Sequence, residues 1–361
     1  MENLKEILRH FPEVGEVKMI DPIPTGLINR TYKVYVAGEN KIRCYILQCI
    51  NHVVFQDIPG LQRNIELVTS HIRRKLEERG EPDIDRKVLR FLKTDEGLSY
   101  YRDKALYWRV SAFIEGSETR DELTPRSAEL VGLKFGEFEA MLSDLDEPLI
   151  ETIPNFHNME YRLSQLHEAV EKDAVGRLSG VRAIVDDIDR DAVEMCCAER
   201  YYREGKLPKR ICHCDTKISN MLFDRSGEVL CIIDLDTVMP AFVFSDFGDF
   251  LRSAANTALE DEPDLGKISF NQEIFESFAK GYFSSAKSFL LPLEIELLPF
   301  SVALFPYMQA VRFLTDYLNG DVYYRIDYLE HNLVRARAQY KLYEEVRKKM
   351  PELKAYIDSL R

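Results

Sequence analysis

The hydrophobic pattern of this chain changes once, near FIEGSE at residues 113–118, and this change constrains the fold more than any other feature. Before it, short β-rich runs surround one long helix. After it, apolar residues recur at the spacing of long amphipathic helices. The length of 361 residues also exceeds the usual size of one compact domain. We therefore predict two lobes, a small β-rich lobe over residues 1–114 and a larger helical lobe over residues 115–361.

The same patterns predict the individual elements and an α+β class. The predicted strands are VKMID (17–21), TYKVYV (31–36), IRCYILQ (42–48), KVLRFLK (87–93) and LYWRVSAFI (106–114). One long helix is expected over residues 59–80, with Pro59 near its start and Gly80 as its stop signal. Further helices are expected over residues 125–142, 159–171, 187–204, 272–285, 293–318 and 328–348.

Charge and hydropathy narrow the class of function. The chain has 48 basic and 61 acidic residues, and the net charge of −13 opposes non-specific attraction to nucleic acid or to an anionic membrane. The start MENLKEILRH lacks the apolar core of a signal peptide, and proline and glutamate interrupt the apolar stretch FLLPLEIELLPFSVALFPYM. We expect a cytoplasmic protein that acts on a small molecule, without nucleic acid or membrane partners. The sequence leaves the oligomeric state open.

The seven cysteines are expected to be reduced thiols, because their number is odd and no export signal is recognised. Cys212, His213 and Cys214 have the side chains of zinc ligands. Their adjacent positions do not match the usual spacers of two to four residues, and the sequence offers no second pair of ligands to complete a site. We therefore prefer buried thiols to a zinc-stabilised module.

The segment HCDTKISNMLF, residues 213–223, carries the strongest chemical signal. Two apolar runs follow in MLFDRSGEVLCIIDLD, joined by the turn residues 224–227. If these runs pair as an antiparallel hairpin, Asn220 and Asp234 lie side by side at its foot. Amide and carboxylate oxygens suit Mg²⁺, and Asp215 is positioned to accept a proton from a hydroxyl group. The arrangement is typical of phosphoryl transfer.

These residues also carry a resemblance to a known family. Residues 213–220, HCDTKISN, resemble the H-G-D-x-x-x-x-N loop of the aminoglycoside phosphotransferase-like kinases, and IDLD at 233–236 resembles their I-D-W-D segment. FSDFGDFLRSAANT (244–257) and LFPYMQAVRFLTDYLNGDVYY (304–324) are similar to one branch, the N-acetylhexosamine 1-kinases. The resemblance implies a bilobal protein-kinase-like fold. It also implies ATP-dependent phosphorylation of the anomeric hydroxyl of N-acetylglucosamine or N-acetylgalactosamine.

The resemblance implies roles for particular residues, with ATP as co-substrate and Mg²⁺ as cofactor. Asp215 would be the catalytic base and contact the substrate, and Asn220 and Asp234 would bind the metal. The implied sugar contacts are Thr237, Arg312 and Tyr323. The implied nucleotide contacts are Gly26, Gln48 and Ile114.

Two departures from the family pattern keep other functions open. Gln48 stands where related kinases have a lysine on the third strand, with Glu66 on the long helix as the expected partner of that position. Cys214 replaces the glycine of H-G-D. The alternatives are a kinase of the same fold acting on an aminoglycoside, choline or homoserine, and a catalytically silent nucleotide-binding protein. Asp246 and Phe247, in SDFGD, are interpreted as loop supports rather than substrate contacts.

Overall fold

The structure, a computed structural model, describes residues 4–24, 28–38, 42–120 and 123–361. Its strands are β1 Val17–Ile23, β2 Arg30–Ala37, β3 Ile42–Ile50, β4 Tyr101–Asp103, β5 Leu106–Ala112, β6 Arg210–Cys212, β7 Met221–Phe223, β8 Val229–Ile232 and β9 Met239–Ala241. Its helices are α1 Leu4–Leu8, α2 Ile58–Glu78, α3 Pro125–Leu142, α4 Met159–Lys172, α5 Arg182–Met195, α6 Cys197–Arg203, α7 Phe244–Ala254, α8 Gln272–Ala286, α9 Pro292–Leu318, α10 His331–Lys348 and α11 Met350–Leu360. A β-rich N-terminal region and a larger helical region confirm the predicted α+β class.

The first five strands form one antiparallel sheet in the order β1-β2-β3-β5-β4. One face is apolar, with Val34 and Val36 of β2 fully buried, and Ile7 and Leu8 of α1 belong to the same core. Because β3 and β5 are neighbours, residues far apart in sequence become cross-strand partners. This register places Gln48 of β3 directly across from Arg109 of β5.

The predicted strand over residues 87–93 is wrong. This segment is irregular and makes a single bridge, from Phe91 to Ser111 of β5. Leu92 N–H donates to the carbonyl of Val110 at 2.8 Å, so the segment runs beside β5 for a short distance only. The other half of that edge of β5 is already paired with β4, so the segment at residues 87–93 cannot extend its pairing along β5.

Most of the predicted helices are confirmed to within two residues, including α2, α3, α4, α8 and α9. The helix predicted over residues 187–204 is instead two helices, α5 and α6, separated at Cys196. The helix predicted from residue 328 begins at His331, because Glu330 has a left-handed φ of 66°. The prediction missed α7, whose Gly248 lowers helix propensity. A Cβ at Gly248 would lie 2.5 Å from the carbonyl of Ser301, so glycine is required where α7 packs on α9.

Helix α9 is the longest apolar element of the described chain. By length and composition it is the one described helix that could cross a membrane, and 89% of its most apolar window is buried inside the protein. It packs against α4, α7 and α10. This burial is typical of the central helix of a helical domain.

The chain folds into two compact units, and each unit is built from three separate segments of the sequence. The first unit comprises Met1–Arg120, Asp144–Pro154 and Asn220–Met239. The second comprises Asp121–Ser143, Asn155–Ser219 and Pro240–Arg361. The β7–β8 hairpin therefore belongs with the N-terminal sheet, although it lies late in the sequence. The assignment of nucleotide binding to residues 1–114 and of sugar binding to residues 115–361 stays a prediction.

Candidate active site

The loop that follows β6 is built around His213. This side chain is fully buried, and Phe135 and Phe138 of α3 meet its ring edge-on at centroid distances of 5.9 and 6.1 Å. The backbone N–H of Asp215 donates to His213 Nδ1 at 3.3 Å. An imidazole held this way fixes the path of the loop, so His213 acts as a structural brace.

Asp246 of α7 holds the same loop from the other side. Its carboxylate oxygens accept the backbone N–H groups of His213 and Cys214, each at 2.7 Å, and its own carbonyl accepts the hydroxyl of Thr216 at 2.9 Å. The interpretation of Asp246 as a loop support is therefore confirmed. Glu139 lies beside it, and burial together with the charge of Asp246 raises the pKa of Glu139 well above its usual range.

The backbone at Cys214 explains why glycine suits this position. Its φ of 63° lies in the left-handed region, which glycine enters at no steric cost and other residues enter at a cost of roughly 1–3 kcal/mol. The strain is tolerated because the buried loop is fixed by His213 and Asp246. Cys212 and Cys214 are both free, buried thiols, as predicted. Burial raises the pKa of both far above the usual thiol value.

Asp215 itself remains partly accessible. Its side chain is 33% exposed, and Lys217 Nζ lies 2.8 Å from its carboxylate. Asp249 of α7 is close enough that burial raises its pKa and the Asp215 charge adds to this increase, while Arg252 and Arg312 oppose it. The charges of Asp215 and Arg312 therefore both act on the largely buried carboxyl group of Asp249, within the second unit.

In the first unit, the hairpin predicted after residue 220 is confirmed. Met221 of β7 pairs with Ile232 of β8, and the N–H of Ile233 donates to the carbonyl of Asn220 at 2.9 Å. Asn220 and Asp234 therefore come from the same end of the hairpin. Asp234 has a left-handed φ of 61°, a conformation that aspartate adopts more readily than most residues and that is frequent at functional sites.

A buried charged network in the same unit was not predicted. Arg109 of β5 lies directly across from Gln48 of β3, and its Nε donates to Gln48 Oε1 at 2.9 Å. Its Nη1 also forms an ion pair of 2.5 Å with Asp236, although both side chains are almost inaccessible to solvent. Asn29 Nδ2 donates to the other oxygen of Asp236 at 2.6 Å. The second aspartate of the IDLD segment is therefore fixed by a cation from the sheet.

Glu66 is not the partner of Gln48 that the family pattern suggested. It forms an exposed ion pair with Lys93. The signal that pointed to Arg109 was available in the sequence, because it is the one charged residue in the apolar run LYWRVSAFI. An arginine inside a buried strand requires an acidic partner, but only the fold identifies Asp236 as that partner.

The other implied contacts fall in different places. Gly26 lies outside the described residues. Ile114 is buried just after β5, and its carbonyl accepts the hydroxyl of Ser117 at 2.6 Å. Thr237 is buried at the end of the turn Leu235–Thr237, in the first unit.

Arg312 and Tyr323 are brought together in the second unit, at a pocket of about 240 Å³. The pocket is lined by Arg162, Gln165, Arg312, Thr315, Asp316, Asn319, Val322, Tyr323 and Tyr324. Asp316 fixes one wall of the pocket, because its carboxylate accepts the backbone N–H groups of residues 322, 323 and 324 at 2.8–3.0 Å. Asn332 Nδ2 donates to the same carboxylate at 2.9 Å. The loop carrying Tyr323 is thus held to α9, and the tyrosine itself stays 65% exposed.

Comparison with known proteins gives one family and one fold. Residues 20–279 match the model of the phosphotransferase enzyme family. An aminoglycoside phosphotransferase from Alicyclobacillus acidocaldarius superposes with a TM-score of 0.63 at 13% identity, over 98% of this chain and 96% of its own. A Plasmodium vivax ethanolamine kinase gives 0.56 at 16% identity, over 93% and 87%. A spectinomycin phosphotransferase solved with ADP and spectinomycin gives 0.55 at 13% identity, over 98% and 99%. These similarities confirm the predicted kinase-like fold.

Proposed function

The chain belongs to the phosphotransferase enzyme family, and on that premise we propose that it is an ATP-dependent kinase that phosphorylates the anomeric hydroxyl of N-acetylhexosamines. One observation carries the proposal. Arg312 and Tyr323, the two sugar contacts implied by the sequence in the helical region, line one pocket of the unit that also holds Asp215. We propose that the protein is cytoplasmic and that its partners are the sugar and ATP.

Asp215 has the surroundings expected of a general base in this reaction. Its backbone is fixed through His213, while its carboxylate remains partly exposed and paired with Lys217. The Lys217 charge favours the ionised carboxylate, which must accept the proton of the attacking hydroxyl. The ion pair is partly exposed, so a substrate hydroxyl can approach without a large cost of breaking it.

The donors at the end of the hairpin fit magnesium. Asn220 offers an amide oxygen and Asp234 a carboxylate, and both are hard ligands of the kind that Mg²⁺ takes from proteins alongside phosphate oxygens. When bound, the ion would neutralise charge on the transferred phosphoryl group. Arg109 supports this segment, because its ion pair with Asp236 anchors the residue two places after Asp234.

The Arg109 network also favours an active kinase over a silent nucleotide-binding protein. The silent alternative was motivated by Gln48, whose neutral side chain replaces the usual lysine. In this unit Gln48 accepts a hydrogen bond from Arg109, whose charge is paired with the buried Asp236, so the glutamine has a defined place in a polar network. A complete, buried and hydrogen-bonded network is costly to build, which argues that the segment it fixes has a function.

The proposal is tested by measuring ADP release and reducing ends in the same reaction. Purified protein is incubated with ATP, Mg²⁺ and either N-acetylglucosamine or N-acetylgalactosamine. Phosphorylation of the anomeric oxygen prevents ring opening, so reducing ends should disappear in proportion to ADP formed. ADP formation with unchanged reducing ends would reject the 1-kinase. A panel containing choline, ethanolamine, homoserine and an aminoglycoside identifies the alternative substrate classes.

A further inference from the structure

We propose that Arg162 and Arg312 select substrates by charge in the pocket that both residues line, which we call the acceptor pocket. This charge filter binds substrates with a neutral hydrogen-bond acceptor, such as an acetamido carbonyl, and disfavours substrates with an ammonium group. Within the proposed substrate class, the residue pair would therefore favour the N-acylated sugar over the sugar with a free amino group. This inference rests on the proposed function, which did not assign any role to Arg162.

Both arginines are held around one residue, Phe156. Arg162 donates from Nε and Nη2 to the carbonyl of Phe156 at 3.1 and 2.7 Å, and from Nη1 to Gln165 Oε1 at 2.8 Å. The guanidinium of Arg312 lies over the Phe156 ring at 5.3 Å and over the Tyr324 ring at 5.7 Å. Its Nη1 donates to Gln309 Oε1 at 3.1 Å. Two fixed positive charges therefore line the same cavity.

Among the described residues, neither arginine has a carboxylate within ion-pair distance. Asp316 is the one acid that lines the pocket, and both of its oxygens are occupied by N–H groups of the loop and of Asn332. Asp249 lies farther from Arg312 and is paired with Arg252 at 2.8 Å. The positive charges facing the cavity are thus only partly offset.

The electrostatic response of nearby groups agrees with this description. Burial and the charge of Arg312 lower the pKa of Arg162 to about 10. Burial lowers the pKa of His157 well below its usual range, and Arg312, Arg162 and Arg252 add to the decrease. The His157 ring stacks on Phe156 and meets Phe305 edge-on, so it lies beside the residue that both arginines contact.

The chemistry of the ligand follows from the donors available. A guanidinium group has N–H donors and no acceptor, so it pairs with carbonyl or hydroxyl oxygen. An ammonium group also has donors only, and it would be placed beside two like charges in a half-buried site. The amide of an N-acetylhexosamine satisfies the pocket, whereas the amine of the deacetylated sugar does not.

The test compares matched pairs of acceptors that differ in charge, at a pH where the amines are protonated. The pairs are N-acetylglucosamine with glucosamine, and 3,3-dimethylbutan-1-ol with choline. We expect kcat/KM to favour the neutral member of each pair by at least about tenfold, the penalty of a modest like-charge contact. The decisive variant is Gln165→Glu, which keeps the acceptor for Arg162 and adds a negative charge to the pocket wall. It should lower the neutral-to-cationic ratio by about tenfold.

The control is Gln56→Glu, the same chemical change at an exposed site of the first unit. It should leave the ratio unchanged. Arg162→Gln should shift the ratio as Gln165→Glu does, while Arg162→Lys should retain the preference for neutral acceptors. A ratio that is the same in Gln165→Glu and the unaltered protein overturns the inference, as does better use of choline than of its neutral analogue.

Failure of the proposed function gives a different result. In that case neither N-acetylhexosamine is phosphorylated, and the choline pair still measures the charge filter. If no compound is turned over, the ratio is obtained from dissociation constants by calorimetry. Failure of all four compounds to bind the pocket overturns the inference.

Discussion

Asp215 combines a fixed backbone with an accessible carboxylate, and these two properties can be separated experimentally. Asp215→Asn is nearly isosteric and leaves the His213 and Asp246 contacts of the loop in place. It should lower kcat by about 10²–10⁴-fold, because the amide cannot accept the proton of the attacking hydroxyl. The assay is steady-state kinetics beside a thermal unfolding curve. Near-full turnover by the folded variant would show that Asp215 is not the base.

The metal ligands predict a different kinetic effect. Asn220→Ala and Asp234→Ala each remove one oxygen donor, so the Mg²⁺ concentration for half-maximal ATP turnover should rise by at least about tenfold, equivalent to one lost contact of roughly 1.4 kcal/mol. Mg²⁺ titrations at fixed ATP measure this. Two variants with the magnesium dependence of the unaltered protein would rule out the proposed metal site.

Arg109 and Gln48 are hydrogen-bonded to each other but should respond very differently to truncation. Arg109→Met leaves the buried Asp236 carboxylate without its ion-pair partner and should lower the free energy of unfolding by about 3–5 kcal/mol. Gln48→Ala removes a hydrogen bond to the guanidinium but breaks no ion pair, and should cost about 1.5–3 kcal/mol. Urea denaturation of both variants measures the difference. The double variant Arg109→Met/Asp236→Asn should recover part of the loss, and equal effects of the two single changes would contradict the ion-pair role.

Single residues were predictable from the sequence where one motif carried the information. Asp215, Asn220 and Asp234 could be proposed because they are separated by a short loop and one hairpin. The partners of Arg109 and the role of Arg162 could not, since they depend on a strand register and on a pocket assembled from α4, α9 and the loop after it. Sequence spacing does not encode such contacts.

At the scale of secondary structure, Glu199 of α6 links two helices. Its carboxylate accepts the N–H of Met159 at the start of α4, at 2.6 Å. Burial raises the pKa of Glu199 to about 7, from an unfolded value near 4.5. A raised pKa means that the folded state binds the proton more tightly. The contribution of this group to stability is therefore full below pH 4.5 and is lost as the pH rises to about 7.

Glu199→Gln should remove this pH dependence, because glutamine keeps an acceptor for Met159 and does not ionise. Relative to the unaltered protein, the variant should gain roughly 3 kcal/mol of stability between pH 4.5 and pH 8. Chemical denaturation at the two pH values measures the gain. Glu171→Gln on the exposed face of α4 is the control and should show no such trend. An equal stability difference at both pH values would mean that folding does not raise the pKa of Glu199.

The elements that were mispredicted have specific physical causes. The run at residues 87–93 has strand composition, but β4 occupies the rest of the β5 edge. Helix α7 contains a glycine that propensity disfavours and that packing on α9 requires. In both cases a tertiary contact overrides the local preference. Helices α3, α8 and α9 were predicted well because apolar residues recur at helical spacing over several turns, in α9 despite Pro299 and Pro306.

At the scale of the whole molecule, the two proposed substrates have their implied contacts in units built from interleaved parts of the chain. Gln48, Ile114, Asn220 and Asp234 belong to the first unit, whereas the pocket with Arg312 and Tyr323 belongs to the second. Thr237 is the exception, since it is an implied sugar contact that belongs to the first unit. Ligand binding slows local opening of the segments it contacts, so hydrogen exchange can assign each contact separately.

We therefore expect ADP with Mg²⁺ to slow amide exchange in β3 and in residues 220–236, and to leave residues 309–324 unchanged. N-acetylglucosamine alone should slow exchange at residues 156–165 and 309–324, because these segments form the pocket. Slower exchange at residues 235–238 with sugar alone would support Thr237 as a sugar contact, and unchanged exchange there would remove it from the site. Arg312→Ala is the control and should abolish the sugar effect while the ADP effect persists. Sugar-induced protection confined to the first unit would show that the pocket is not the acceptor site.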